Sequence, residues 1–231
     1  MQLSSKQTKA LFGTLLLLIG GALIYYFAVK EAELPPMTVQ EKKARFLSLI
    51  VPAVNHVYAD LMTQYEEIKV ALEKGHSTAK IEKLKTEYKA TTDAELLAAL
   101  KPHPKSIAIA QAAMESSWAT SRFFRKAYNI FGVWSFDEDE PRIAALEKRG
   151  DKTIWVKKYD SVEASVYDYY RTLGRSDAFT QFRKTRIKTE DPFILATKLD
   201  RYSEKGSLYG KELIAIIKFN KFTQFDNSDD E

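Results

Sequence analysis

The 231-residue chain is 45% hydrophobic and 29% charged, with nine glycines and seven prolines; wholesale disorder is excluded, since it requires few apolar residues and a large net charge. No cysteine is present, which removes disulfide scaffolds, thiolate zinc sites and cysteine nucleophiles, and the three histidines (His56, His76, His103) make no spaced metal-binding pair. Three cations (Lys6, Lys9, Lys30) and no acid lie in residues 1–30, leaving 32 basic against 31 acidic residues in the remainder; that balance offers no field for nucleic acid.

Leu11 to Val29 is a run of nineteen uncharged residues, which as a helix spans about 28 Å, close to the hydrocarbon core of a bilayer. Tyr25, Tyr26 and Phe27 stand at its far end, where amphipathic rings favour the headgroup region. A cleaved signal peptide usually has an apolar region of only about 7–15 residues, and no small-x-small site follows here. An uncleaved anchor over 11–29 is expected, between a short N-terminus (1–10) and a linker (30–37). Lys6 and Lys9 on one side oppose Lys30, Lys42, Lys43 and Arg45 on the other, so flanking charge leaves the orientation open.

Thr38-Val39-Gln40-Glu41 reads as a capping box. Phe46, Leu49, Ala53, Val57, Leu61, Tyr65, Ile68 and Leu72 then recur at helical spacing, predicting one long helix ending near Gly75 and bent at Pro52. Ile81, Leu84 and Tyr88 mark a second helix, so 38–91 is expected to be an antiparallel hairpin supporting the domain behind it. A second capping box, Thr92–Glu95, opens a short helix. After Pro102 and Pro104, Ser106 is expected to cap a helix with the sequence IAIAQAAMESSW (107–118). Only Gln111 interrupts Ile107–Met114, and a helix apolar on every face is a central, buried one.

Beyond it, Tyr128–Trp134 is aromatic without helical period. Ile143–Lys148 and Lys152–Tyr159 flank Arg149-Gly150-Asp151 as a small hairpin. Ser161 caps a further helix, Pro192 starts another through Leu199, and Leu213–Phe219 form the last. An acidic tail, 226–231, is expected to be solvated. The prediction is a mainly α domain at 92–225 with a small β-hairpin lobe.

Glu115 closes the apolar helix, with Trp118 expected one turn on and on the same face. A carboxyl in low dielectric keeps its proton to higher pH, and a protonated glutamic acid can act as general acid on a glycosidic oxygen; the acid of lysozyme is likewise a Glu set against a Trp. Aromatic faces suit a sugar ring. The residues alone read equally as an exposed helix-terminal Glu beside core aromatics.

Ala110-Gln111-Ala112-Ala113-Met114-Glu115-Ser116-Ser117-Trp118, then Thr120–Phe123, Asn129–Trp134 and Tyr202-Ser203-Glu204-Lys205-Gly206-Ser207-Leu208-Tyr209, together resemble bacterial Bax-type glucosaminidases. These are the mannosyl-glycoprotein endo-β-N-acetylglucosaminidase-like proteins of glycoside hydrolase family seventy-three. The resemblance implies a lysozyme-like fold and hydrolysis of peptidoglycan after N-acetylglucosamine, without metal or cofactor. It implies Glu115 as general acid, Tyr202 near the reacting sugar, and Asn129, Phe131 and Gly132 in the loop shaping the cleft. Trp118 and Trp134 are the further candidates for sugar contact. For a second carboxylate Glu147 is the candidate, with Asp137, Glu138, Glu140 and Asp151 nearby and the substrate's own acetamido group as an alternative. Substrate outside the inner membrane would place everything after Val29 in the periplasm. A lytic transglycosylase and a non-catalytic wall-binding module are the competing readings.

Overall fold

A computed structural model describes residues 34–227, with the backbone alone at 147–149. The chain forms two compact units, 1–37 and 38–231. Only 34–37 of the first are among the described residues, so the expected anchor at 11–29 lies outside them, as do residues 228–231 of the tail.

Helix α1 (Val39–Glu73) begins at the expected capping box: Thr38 Oγ1 accepts from Glu41 N (3.2 Å), and the Glu41 carboxylate accepts from Thr38 N (2.8 Å). Pro52 lies inside it without interrupting the helix. Phe46, Ile50, Ala53, Val54, Val57 and Leu61 join the main core. Tyr65 and Ile68 join a smaller cluster with Ile81, Leu84 and Tyr88 of α2 (Ala79–Tyr88) and Leu96 and Leu100 of α3 (Asp93–Leu100). A Lys80–Glu67 ion pair of 2.7 Å ties α2 back to α1, as a helical hairpin requires. By length and composition alone α1 could cross a membrane, but its apolar stripe is occupied by these two clusters. At α3, Thr92 caps Glu95 N, whereas the Glu95 carboxylate accepts from Thr91, one residue earlier than the expected box.

Helix α4 (Lys105–Glu115) runs through the centre, buried from Lys105 to Ala113. Its small alanines let α1 and α9 (Ser207–Phe219) pack closely on it, with a 3₁₀ turn at Phe222–Phe225 against another face. Ser106 does not cap it, contrary to expectation. The N-cap is Pro104, which has no side-chain acceptor, and Asp226 Oδ1 takes the Ser106 N–H at 2.8 Å. A carboxylate at a helix N-terminus satisfies both the free donor and the dipole, so Asp226 is a structural residue and not part of a solvated tail.

Helix α5 (Arg122–Ala127), capped by Ser121, leads into the hairpin of β1 (Arg142–Arg149) and β2 (Lys152–Lys157). The strands are antiparallel, with Arg142 opposite Lys157 and Arg149 opposite Lys152, and the register is irregular between Ala144 and Lys148. Val133–Ser135 lines the other edge of β2 through Ser135 N to Trp155 O (2.9 Å) and Lys157 N to Val133 O (3.0 Å). The Arg122 guanidinium donates to Ala144 O (2.8 Å), linking lobe to α5.

Helix α6 (Val162–Arg175) carries the Ser161 cap and buries Val166, Tyr169, Tyr170 and Leu173, as its spacing predicts. Helix α7 (Thr180–Arg186) follows, then α8 (Pro192–Ala196), which starts at Pro192 and stops before Leu199. Helices α8 and α9 cross closely at Gly210, where a Cβ would lie 2.6 Å from Ala196 O.

Candidate active site

The geometry around Glu115 follows from α4. Gln111 and Glu115 are four residues apart and so share a helix face. Gln111 is fully buried, whereas Glu115, the last helical residue, presents an exposed side chain. This corrects the expectation of a buried acid: the carboxyl is open to solvent on one side and enclosed on the other. Desolvation by the protein behind it still raises its pKa above the ordinary carboxylate value, opposed by a hydrogen bond from Tyr209 and the charge of Lys205.

Tyr209 is the side chain behind the acid. Its hydroxyl donates to Glu115 Oε1 (2.9 Å) and accepts from Gln111 Nε2 (2.8 Å). Tyr202 stacks on Tyr209, with ring centroids 5.2 Å apart and planes 20° apart. Burial, then the negative charge of Glu115, pushes the Tyr202 phenol well above its usual pKa, and Tyr209 is raised for related reasons. Both therefore remain neutral phenols able to donate hydrogen bonds. Gly206 (φ +58°) begins α9 in a backbone region that side chains disfavour, bringing Tyr202 and Tyr209 to the same place.

After Glu115 the backbone changes hand. Ser117, Trp118 and Ala119 have φ of +52°, +62° and +59°, a conformation costing about 1–2 kcal/mol for each non-glycine residue. Ser116, fully buried, holds the turn: its hydroxyl donates to Ala112 O (2.5 Å) and accepts from Ala119 N (2.8 Å). Arg45 on α1 donates to Ala119 O (3.0 Å). Trp118 consequently does not continue the face of Glu115. Its ring meets Phe46 edge-on at 5.2 Å and lies under Lys43 Nζ at 4.9 Å, packed towards α1.

The other expected residues divide between scaffold and surface. Asn129 is buried and brackets the loop, donating to Val133 O and Lys157 O (both 2.9 Å) and accepting from Val133 N (2.9 Å). Phe131 stacks on Tyr169 at 3.9 Å. Gly132 takes φ +67°. Trp134 is 43% exposed, 6.2 Å from the 85% exposed Phe136, and Leu146 on β1 is 81% exposed. Glu147 falls in the irregular stretch of β1, and its side chain lies outside the described residues. Among the described residues no cluster of three or more His, Cys, Asp or Glu could hold a metal ion.

The structure thus brings Glu115 and Tyr202 together on Tyr209, which hydrogen-bonds the first and stacks on the second while Gln111 braces its hydroxyl. Tyr209 and Gln111 carry no assigned role in the sequence reading, although Gln111 is the sole polar break in Ile107–Met114 and stands one helical turn before the acid.

The family model described as mannosyl-glycoprotein endo-beta-N-acetylglucosaminidase matches residues 91–222, more than half of the chain. The chain belongs to the glucosaminidase family. Glu115, Glu147, Tyr202 and Tyr209 of this glucosaminidase all lie inside the match, and the family is one of glycoside hydrolases. Protein bax of Escherichia coli (strain K12) is 31% identical over 124 residues, 51% of this chain and 43% of that protein; the match therefore spans less than half of this curated relative. Among solved structures, the catalytic domain of the autolysin Auto from Listeria monocytogenes is 17% identical over 98% of this chain and 99% of its own, with a TM-score of 0.50, a likeness of fold. A peptidoglycan hydrolase from Sphingomonas sp. A1 aligns at 23% identity over 61% of this chain and 92% of its own, with a TM-score of 0.45.

Proposed function

We propose that this glucosaminidase cleaves peptidoglycan at the β-1,4 bond after N-acetylglucosamine, with Glu115 as general acid on a lysozyme-like helical fold. The observation that carries this reading is the position of Glu115: reachable from solvent, desolvated from behind, and held at one oxygen by Tyr209. Such a carboxyl keeps a proton at pH values where ordinary carboxylates have lost theirs and can pass it to the departing glycosidic oxygen. The C1–O bond breaks as that proton arrives, and water adds to C1 to complete hydrolysis. Tyr202, a neutral phenol beside the acid, is suited to hold the 2-acetamido group. Glu147 or that acetamido group itself supports C1 from the other face. Trp134 and its exposed neighbour Phe136 offer apolar faces to neighbouring sugars. An anchor at 11–29 would tether the enzyme in the inner membrane with its catalytic domain in the periplasm.

The test is digestion of purified sacculi with identification of the product ends. The parent should release reducing N-acetylglucosamine ends; anhydromuramyl ends would identify a lytic transglycosylase, and binding without soluble product a wall-binding module. Glu115→Gln, which keeps shape but lacks the acidic proton, should lower kcat by about a hundredfold or more.

A further inference from the structure

Behind Tyr209 the polar contacts continue inward. The Tyr169 hydroxyl on α6 donates to Gln111 Oε1 (2.5 Å), and His103 Nε2 lies 2.9 Å from the same hydroxyl. His103, Gln111, Tyr169 and Tyr209 are all buried to 2% exposure or less. A buried chain of this kind has a direction, because each hydroxyl and amide gives on one side what it receives on the other. His103 sets that direction. Its Nδ1 has no hydrogen-bond partner among the described residues, and a buried ring nitrogen without a partner is tolerated better as a bare acceptor than as an orphaned N–H. The ring proton then sits on Nε2 and is donated to Tyr169. The groups around the ring keep it neutral: burial first, then the cationic Arg186 of α7, lower the pKa of His103 well below its usual value. Tyr169 and Tyr170 on α6 face it as neutral phenols.

We propose that His103, Tyr169, Gln111 and Tyr209 form a one-way hydrogen-bond chain ending on Glu115 Oε1, which makes Oε1 the permanent acceptor and leaves Oε2 to carry the catalytic proton. The chain rests on the reading of Glu115 as proton donor. It assigns His103, Tyr169 and Gln111 as positioning residues that never meet the substrate. Among the described residues, Tyr209 is the hydrogen-bond partner that Glu115 has, at Oε1, so Oε2 is the oxygen free to face a sugar. The charged group and neutral phenols acting on Glu115 itself are Lys205, Tyr202 and Tyr209. A donor on Oε1 favours the carboxylate, so the chain also sets the upper pH at which the acid keeps its proton.

The chain is tested on the full-length protein in detergent. With only three histidines, nitrogen-15 NMR of labelled histidine resolves each ring. His103 is expected as the neutral Nε2–H tautomer from about pH 5 to about pH 8, the range over which an ordinary imidazole changes charge. An Nδ1–H tautomer or an imidazolium at neutral pH would overturn the proposal without any substitution. Kinetically, Tyr209→Phe removes the last donor and should move the alkaline limb of kcat/KM to higher pH. Tyr169→Phe keeps the ring that stacks on Phe131 but frees the Gln111 amide to turn its oxygen to Tyr209, diverting that hydroxyl from Glu115. Its limb should move in the same direction, and the double variant should match Tyr209→Phe alone. An unmoved limb in Tyr169→Phe, or additive shifts in the double variant, would overturn the chain while Glu115→Gln remains inactive. Full activity in Glu115→Gln would instead remove the proton-donor reading beneath it.

Discussion

As the proposed proton donor, Glu115 stands under two opposed demands. A donor acid must reach its substrate, yet must also be kept from ionising, and one side of the carboxyl serves each. The arrangement has a cost in stability. Because desolvation raises the pKa of Glu115 in the folded chain above its unfolded value, the folded state holds the proton more tightly. Its contribution is fully present below the unfolded pKa and is lost as pH rises through the folded one. Glu115→Gln, which never ionises, should therefore unfold at a higher Tm than the parent at pH 8. The two should converge when melted below pH 4, and equal melting temperatures at pH 8 would show that the carboxylate is fully hydrated in the folded protein.

At the scale of elements, the acid depends on α9 lying tight against α8. Tyr209 is followed directly by Gly210, whose missing side chain is what permits the crossing: an added Cβ would lie 2.6 Å from Ala196 O. Gly210→Ala should push α9 away, lowering stability by about 1–3 kcal/mol in urea unfolding and reducing kcat together with it, through the displaced Tyr209 hydroxyl. Helices such as α1 and α4 are legible in the sequence because their apolar residues recur at a helical period or cover every face. Helices α5 (RFFRKA) and α7 (TQFRKTR) are not, since each is short and dense in charge, with too few turns for a period to emerge. Trp118 departs from its expected place for a different reason. A left-handed turn built from Ser, Trp and Ala has no glycine to announce it, and helical arithmetic carried past Glu115 puts the ring on the wrong face. The capping of α4 by Asp226 is likewise invisible locally, since donor and acceptor are 120 residues apart. Of the candidate site, the motif resemblance supplies Glu115 and Tyr202, while the Tyr209 ring that stacks on Tyr202 and hydrogen-bonds Glu115, and the Gln111 amide that braces it, require the folded chain.

Across the whole molecule, the core begins well before the family match does. Residues 91–222 define the glucosaminidase, but Phe46, Ile50, Val54, Val57 and Leu61 are buried in the same cluster as Ile107, Ile109 and Ala113 of α4. A fragment starting at residue 92 would expose the flank of its central helix to water. It should show no cooperative thermal transition by circular dichroism, whereas a fragment starting at residue 38 should melt as one unit; a sharp transition in the shorter fragment would mean that α1 is dispensable.

The contrast between α4 and the β-hairpin has its own mechanical meaning. The proposed proton donor stands at the exposed end of the most enclosed helix, whose buried stretch from Lys105 to Ala113 fixes the direction in which that end points. The two-stranded lobe, with Phe136 and Leu146 turned to solvent, is an arm with little holding its outer surface. If the substrate is the bulky, cross-linked polymer proposed above, accommodation to it falls to the arm, which can give way while the Glu115 carboxyl stays put.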